Sequence, residues 1–221
     1  MLILACPGLA GPLQAAYAEF GEMVHSDDVL PGPPETPPGA LQPDPKRYLE
    51  FAERATDVPL ALVELRRVLI ARLDVCARAL EEVTTTGLTG PLALMMDRCD
   101  GPVLRMTWYP PGYVGEVNQP HTDIDLFTIL PAATQPGLQR RAGDQWLPIA
   151  IGKDEVAVMT GEILQELGVA PAIEHRVLGS GQQRMSVSLF VNADPDLVVR
   201  QDVRAGDLMK RRFQSVRQVG T

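Results

Sequence analysis

The sequence predicts a mainly β fold, a barrel or a double-sheet jelly roll, with helices packed on its outside. From residue 102 onward, short runs of β-branched and aromatic residues are separated by Pro and Gly, which is typical of many short strands joined by turns. Between residues 59 and 83, apolar residues recur at steps of three and four, the period of a helix with one buried face. The 221 residues are 45% hydrophobic and 22% charged, which argues against wholesale disorder and against a fibrous repeat.

The first part of the chain, residues 1–101, is predicted to be helical and proline-rich. Its opening, MLILACPGLAGPL, has no Lys or Arg before a short apolar run, so we expect it to begin the fold rather than to be a signal. The segment Pro31–Pro45 contains seven prolines and predicts a loop or a lid, because proline lacks the amide donor that helices and sheets need. Helices are predicted over Lys46–Thr56 and over Pro59–Val83.

The second part, residues 102–192, is predicted to be the β core. Its expected strands are the runs VLRMTWY, FTIL, GLQR, WLPIAI, EVAVMT, EHRVL and MSVSLFV. Residues 193–221 are expected to be a C-terminal tail with a surface helix from Asp207 on. The three parts together are predicted to make one domain, residues 1–221, because a chain of this length can bury a substantial core.

Charge and cysteine content argue against several classes of partner. Twenty basic residues against twenty-eight acidic ones leave a formal charge of -8, so neither nucleic acid nor a membrane surface is expected as a partner. No stretch approaches the ~18 consecutive apolar residues of a membrane span, and a cytoplasmic protein is therefore expected. Cys6, Cys76 and Cys99 are too few and too widely spaced for a disulfide framework, and we expect reduced, buried thiols.

Two of the three histidines lie where a metal site could form. His121 and Asp123 are separated by one residue, so on an extended segment both side chains leave the same face. His175 follows after several predicted strands, which is enough chain to bring a third ligand back across a barrel. Two imidazoles and one carboxylate, with the opposite positions open, form the facial triad of non-haem Fe(II) oxygenases. The alternative is a chance HxD, in which each histidine is an ordinary core or surface residue.

A basic side chain near the end of the predicted core strengthens the metal hypothesis. Arg184 and Ser186 lie at the same parity in one predicted strand, so both side chains are expected to point inward together. A guanidinium with a hydroxyl beside it can bind a carboxylate through charge-assisted, bidentate hydrogen bonds. The sequence therefore predicts a carboxylate clamp next to the metal.

Taken in order from Val103 to Asn192, these motifs resemble those of one known family. The segments that carry the resemblance are LRMTWYPP, HTDIDLFTIL, GLQRRAGDQWLPI, EVAVMTGEILQEL, EHRVL and RMSVSLFVN. They are similar to segments of the isopenicillin N synthase-like Fe(II)- and 2-oxoglutarate-dependent oxygenases. The resemblance implies the fold of that family, a double-stranded β-helix, or jelly roll, with flanking helices.

The resemblance also implies a site and an activity. The implied iron ligands are His121, Asp123 and His175. The residues implied to bind the distal carboxylate of 2-oxoglutarate are Arg184, Ser186 and Tyr109. With Fe(II) as cofactor, 2-oxoglutarate as cosubstrate and O₂ as oxidant, the expected enzyme is a dioxygenase. It would hydroxylate, desaturate or cyclise a small-molecule substrate, natural-product or amino-acid-derived.

Two alternatives stay open at this point. Isopenicillin N synthase itself uses an equivalent Arg and Ser pair with a Tyr to hold its substrate's carboxylate and uses no 2-oxoglutarate, so Arg184 indicates a carboxylate without naming it. A non-catalytic, cupin-like protein that binds a metal or ligand in the same barrel is the other alternative.

The family also has a longer N-terminal region. The Pro-rich segment is then a reduced lid, or the cavity is open, or a second subunit covers it, as in a homodimer.

Overall fold

Two antiparallel sheets and the helices outside them make up the computed structural model of the chain. It describes residues 1–26, 29–31, 46–53, 55, 58–84, 88, 90–99 and 101–218, with the backbone alone for residues 30–31 and 213–218. Within these residues the strands are β1 Leu2–Ala5, β2 Leu30–Pro31, β3 Arg47–Phe51, β4 Val103–Tyr109, β5 Val114–His121, β6 Phe127–Pro131, β7 Leu138–Ala142, β8 Gln145–Pro148, β9 Glu155–Thr160, β10 His175–Ser180, β11 Arg184–Val191, β12 Val198–Arg200 and β13 Val203–Arg204. The α-helices are α1 Ala10–Met23, α2 Leu60–Ile70, α3 Leu73–Val83, α4 Glu162–Glu166 and α5 Ala205–Gln218, and a 3₁₀ helix spans Leu92–Leu94.

The two main sheets face each other. The larger sheet has the strand order β1-β9-β6-β11-β4-β3-β2, the smaller one has the order β5-β10-β7-β8, and neighbouring strands are antiparallel. Tyr109, Leu130 and Met159 of the larger sheet pack in one apolar cluster with Val117 and Val177 of the smaller sheet. The predicted mainly β jelly roll, a double-stranded β-helix with flanking helices, is confirmed.

Side chains of β4 alternate between two environments. Leu104, Met106 and Trp108 belong to the main core, which also contains the buried faces of α1, α2 and α3. Arg105 and Thr107, between them in the sequence, line a cavity between the two sheets. β11 alternates in the same way, with Leu189 and Val191 in the core and Arg184, Ser186, Ser188 and Phe190 on the cavity. The larger sheet thus buries one face under helices and keeps the other for a site.

The helix predicted over Lys46–Thr56 is wrong. Arg47–Phe51 form β3, which pairs residue by residue with β4 from Trp108 back to Leu104. Pairing with the open edge of β4 and burial of Phe51 in the core outweigh the helical pattern of the local sequence. Tertiary contacts that the sequence does not display decide the conformation here.

The helix predicted over Pro59–Val83 is split in two. α2 ends at Ile70 and α3 begins at Leu73, because the backbone of Arg72 turns to φ −103° and ψ −3°. The buried residues of α3 are Cys76, Ala77 and Leu80, which belong to the same core as the buried leucines of α2.

Besides β3 and the short strands β2, β12 and β13, two strands of the main sheets, β1 and β5, had no counterpart in the prediction. β1 pairs with β9 at the edge of the larger sheet, so the N-terminal segment contributes a strand rather than a helix alone. β5 is the edge strand of the smaller sheet, where Pro120 is tolerated because an edge strand need not donate every amide. Its polar sequence, VGEVNQPH, hides it from a search for apolar runs.

Three further predictions concern the rest of the chain. Cys6 and Cys76 are buried as expected, but Cys99 is exposed, since it lies in a surface turn where its amide donates to Asp97 Oδ1 at 2.8 Å. The C-terminal helix is present as α5. Of the Pro-rich segment Pro31–Pro45, residues 32–45 lie outside the described part of the chain. None of the helices in the described part is long and apolar enough to cross a membrane.

Candidate metal centre and carboxylate clamp

The structure brings the three predicted metal ligands together. His121 ends β5 and lies directly opposite His175, which begins β10 in the same sheet. Asp123 lies in the loop after β5, not on an extended strand as the sequence predicted. One nitrogen of each imidazole and one carboxylate oxygen all lie within 4.8 Å of one another. Nε2 of His121 is 3.9 Å from Asp123 Oδ1, and Nε2 of His175 is 3.9 Å from Asp123 Oδ2.

Backbone carbonyls orient both imidazole rings. Nδ1 of His121 is 2.7 Å from the carbonyl oxygen of Gln119, and Nδ1 of His175 is 3.0 Å from that of Ile173. A carbonyl accepts but cannot donate, so each neutral ring donates its Nδ1–H to the carbonyl and keeps the lone pair of Nε2. Both lone pairs are then available at the side of the ring that faces Asp123. A carbonyl on the far nitrogen is also the usual support of a metal-bound histidine.

The loop that carries Asp123 is tied to the start of α4. The amide of Glu162 donates to the carbonyl of Asp123 at 2.8 Å, and the amide of Ile163 donates to that of Asp125 at 3.2 Å. Gly161 approaches so closely that an added Cβ would lie 2.2 Å from the carbonyl oxygen of Asp125 and 2.3 Å from its Oδ1. The position therefore requires glycine, and the backbone around Asp123 has little freedom to move.

A hydroxyl connects Asp123 to a second, deeply buried carboxyl. Thr128 Oγ1 lies 2.5 Å from Asp123 Oδ2 and 2.9 Å from Asp125 Oδ2. Burial alone would raise the pKa of Asp123, but the facing His175 and His121, with the hydroxyl bond, outweigh it and hold that pKa below its ordinary value. Burial and the neighbouring charge of Asp123 raise the pKa of Asp125 well above its ordinary value.

Asp125 is a buried carboxyl, although it lies in a loop. It is 1% exposed, and its Oδ1 has no hydrogen-bond partner among the described residues. The Thr128 hydroxyl has only one proton, and the shorter contact, to Asp123, takes it. Thr128 Oγ1 thus lies between the two carboxyls, within hydrogen-bond distance of one oxygen of each.

The predicted carboxylate clamp lies at the same cavity. Arg184 is 5% exposed, its Nε donates to the carbonyl of Gln135 at 3.1 Å, and its guanidinium carbon is 5.2 Å from the centre of the Tyr109 ring. Arg184 and Tyr109 face each other across β11 and β4, and Ser186 is the next residue on the same face. Nη1 of Arg184 is buried and has no hydrogen-bond partner among the described residues. A buried cationic donor without a partner fits an anionic ligand that binds beside it.

One cavity of about 620 Å³ contains all six predicted site residues. Its lining adds polar groups that the sequence did not single out as site residues. Lys46, which precedes β3 and is 4% exposed, donates from Nζ to Asn118 Oδ1 of β5 at 2.9 Å. Arg105 pairs with Glu50 through Nη2 and Oε1 at 2.5 Å. A volume of this size suits a small organic molecule.

Comparison with known proteins bears directly on the identity of this site. Residues 100–193 match the family model described as the 2OG-Fe(II) oxygenase superfamily. This part of the chain, 94 of its 221 residues, is similar to members of that superfamily. The predicted family is confirmed at this level, and its isopenicillin N synthase-like branch is consistent with the match.

Individual members of the superfamily are similar to the chain over different lengths. Over 83 residues it is 37% identical to jasmonate-induced oxygenase 4 of Arabidopsis thaliana, an alignment that covers 36% of this chain and 24% of that protein. The chain thus spans about a quarter of the length of this curated relative.

Solved structures extend the likeness of the fold to most or nearly all of the chain. A Shewanella oneidensis structure described as an oxygenase has a TM-score of 0.75 at 23% identity and covers 99% of this chain and 90% of its own. The dioxygenase for auxin oxidation 1 of Arabidopsis thaliana, in a complex with 2-oxoglutarate, has a TM-score of 0.64 at 17% identity and covers 88% of this chain and 81% of its own. These likenesses show the fold.

The donor set fits the ferrous ion that the superfamily's name specifies. Two neutral imidazoles and an ionised carboxylate suit Fe(II), and neither Cys6 nor Cys76 lines the cavity to favour a softer metal. The partnerless Nη1 of Arg184 fits the far carboxylate of a dicarboxylic acid whose other end lies near the triad. Both groups can therefore be accommodated by the residues present.

Sequence reasoning gave no role to Thr128 and Asp125, the residues that support the triad. The sequence does contain the relevant pattern, because in HTDIDLFT the hydroxyl of Thr128 follows the carboxylate ligand Asp123 by five residues. Only the turn of the loop back onto β6 brings the two groups into contact.

Proposed function

We propose that the protein is a non-haem Fe(II)- and 2-oxoglutarate-dependent dioxygenase that oxidises a small organic molecule. The observation that carries the proposal is the buried, partnerless Nη1 of Arg184 in the cavity that also contains His121, Asp123 and His175. A purely structural metal site has no use for a buried cation at that place. We further propose that residues 1–221 act as one oxygenase domain with its core at residues 102–192.

In this proposal the triad holds the iron, and the iron supplies the activation of O₂ and of the 2-oxo acid. The two histidines direct Nε2 toward the metal because a backbone carbonyl accepts the hydrogen bond from each Nδ1–H. Asp123 acts as the anionic donor because its low pKa keeps it ionised at neutral pH. The three side chains therefore offer two imidazole nitrogens and one carboxylate oxygen to a single ion.

Three other side chains would orient the cosubstrate. Arg184 offers Nη1 to the distal carboxylate of 2-oxoglutarate, with Ser186 beside it on β11 and Tyr109 opposite on β4. Arg184 is fixed from behind by Gln135 and by the ring of Tyr109, so it presents its charge in one direction. The 2-oxo acid end is thereby directed toward the triad, as oriented binding requires.

The balanced reaction for hydroxylation consumes 2-oxoglutarate, O₂ and a C–H bond, and yields succinate, CO₂ and a C–OH group. Desaturation or ring formation instead removes two hydrogens from the substrate and releases water in place of the hydroxyl. The rest of the cavity, with Leu130, Leu138, Val177 and Ile149 in its wall, offers apolar surface to the organic substrate. A natural-product or amino-acid-derived molecule is the substrate class that we propose.

The test is an anaerobic titration followed by an aerobic turnover. Fe(II)-loaded protein should develop a visible charge-transfer band when 2-oxoglutarate is added, and air should then yield succinate even without the organic substrate, at a slow uncoupled rate. Isosteric 2-oxoglutarate analogues that lack the distal carboxylate serve as the control and should give a weaker complex.

Each contrary outcome would point to one alternative. A protein that binds Fe(II) but gives neither the band nor succinate would contradict the proposal and favour an isopenicillin N synthase-type oxidase, in which Arg184 holds the substrate. A protein that retains no Fe(II) would favour the cupin-like binding protein.

A further inference from the structure

Thr128 makes the shortest hydrogen bond to the proposed metal ligand Asp123, and it has no role in the function proposed so far. Its side chain lies on β6, is 1% exposed, and places Oγ1 2.5 Å from Asp123 Oδ2. We propose that Thr128 is a positioning residue that restricts Asp123 to metal coordination through a single oxygen, Oδ1. This inference rests on the proposed iron site.

The hydrogen bond makes the two oxygens of Asp123 chemically different. A hydroxyl proton on Oδ2 engages a lone pair of that oxygen and lowers its basicity, so Oδ1 becomes the better metal donor. A carboxylate without such a donor can rotate about its Cβ–Cγ bond and offer both oxygens to one metal ion. Thr128 thus selects one of two binding modes that the residue type alone allows.

The hydroxyl is held firmly enough to make this selection. The backbone of Thr128 pairs with Met159 of β9 on one side and with Phe190 of β11 on the other, so it lies inside the larger sheet. On the far side of Oγ1, Asp125 Oδ2 at 2.9 Å fixes the direction of the hydroxyl. The acceptor is equally fixed, because the Glu162 amide donates to the carbonyl of Asp123.

Single-oxygen binding has a functional consequence. The facial triad is useful because it fills three positions of the metal and leaves the opposite ones open. A second carboxylate oxygen would take one of the positions that the cosubstrate and O₂ need. Thr128 therefore protects the open face without contributing a metal ligand itself.

Metal binding to three Thr128 variants tests the inference. Thr128→Val has nearly the same shape but no donor, Thr128→Ser keeps the hydroxyl, and Thr128→Cys offers a much weaker donor. The matched control is Thr160→Val, which removes another buried hydroxyl of the larger sheet whose partner is the carbonyl of Pro171 at 2.6 Å. The probe is Co(II), added anaerobically to metal-free protein and followed by calorimetry and by its visible absorption.

We expect Thr128→Val to bind Co(II) about 10- to 100-fold more weakly than wild type, the usual cost of losing such a support. Its visible bands should also be weaker, because a second carboxylate oxygen raises the coordination number. Thr128→Ser should match wild type in both readouts, Thr128→Cys should lie between Val and Ser, and Thr160→Val should match wild type.

Several results would overturn the inference. Unchanged affinity and spectrum in Thr128→Val would do so, and so would a loss in Thr128→Ser as large as in Thr128→Val, which would assign the effect to packing of the methyl group. If Thr128→Val does not fold, a wild-type spectrum and affinity in Thr128→Cys would equally overturn it. Failure of the wild-type protein to bind Co(II) would instead refute the proposed function.

Discussion

Arg184→Gln removes the one guanidinium whose Nη1 is buried at the cavity without a partner among the described residues. Glutamine keeps a polar side chain of similar reach, so its amide can still donate to the carbonyl of Gln135, which receives Nε in the wild type. The variant loses the positive charge and the buried, partnerless Nη1 donor of a residue that lines the cavity. Arg184 contacts none of the three metal ligands, so Fe(II) retention should be unchanged.

The expected loss in 2-oxoglutarate affinity follows from the burial of Arg184. A single charge-assisted hydrogen bond contributes about 1.5–3 kcal/mol. Removing one partner of a buried charge pair costs roughly 2–5 kcal/mol, since the bound carboxylate is left desolvated without its counter-charge. At 5% exposure Arg184 is close to this buried limit, so Kd should rise roughly 30-fold to several-thousand-fold.

Anaerobic titration of Fe(II)-loaded protein with 2-oxoglutarate, followed by calorimetry, measures this Kd. The control is Arg176→Gln, a half-buried arginine on β10 whose guanidinium donates to Gln139 and Glu116 and does not line the cavity. A Kd within threefold of wild type in Arg184→Gln, or a change equal to that of Arg176→Gln, would refute the assignment of the clamp. The Kd of Arg184→Lys should lie between those of wild type and Arg184→Gln, because lysine keeps the positive charge and loses the planar guanidinium.

Three further changes test other parts of the site. His175→Ala removes one of three ligands, so iron content after gel filtration should fall to near zero while the surface control His25→Ala retains it, and full iron content in His175→Ala would exclude His175 as a ligand. Gly161→Ala places a Cβ 2.2 Å from the Asp125 carbonyl, so thermal unfolding should show a loss of about 1–3 kcal/mol, whereas Gly11→Ala, with nothing within 4 Å, should cost nothing. Burial and the charge of Asp123 raise the folded pKa of Asp125, so the stability that its protonated carboxyl contributes is full below its unfolded pKa and is lost as pH rises toward the folded pKa, by at most about 1.4 kcal/mol per pH unit. In metal-free protein, the unfolding temperature of Asp125→Asn minus that of wild type should therefore increase between pH 5 and pH 8. A difference that stays constant over this range would contradict the raised pKa of Asp125.

The β core was predictable because its strands carry their own signal. EVAVMT and MSVSLFV are apolar or alternating runs bounded by turn residues, and they became β9 and most of β11. The same signal was missing from β5, whose polar residues face the site, and it was misleading in β3, where KRYLEF reads as a helix. Both failures occur where neighbouring strands supply the stabilisation that the local sequence lacks.

The candidate site was predictable as a set of residues but not as a network. His121, Asp123, His175 and Arg184 could be chosen because their chemical types and order match a known chemistry. The contact between Thr128 and Asp123 depends on a loop conformation that α4 imposes from elsewhere in the chain. Support of this kind is a property of tertiary structure, and residue spacing does not encode it.

β11 places alternate side chains on the cavity and in the core, so the proposed site depends on the register of this one strand. A shift of β11 by one residue against β4 would turn Arg184 and Ser186 toward the apolar core under the helices. It would also turn Leu189 and Val191 toward the cavity. A chain with this wrong strand register would lose both the carboxylate clamp and the packing of the core. Binding of 2-oxoglutarate is therefore a sensitive probe of whether β11 has the correct register in a variant, even where the overall secondary-structure content is unchanged.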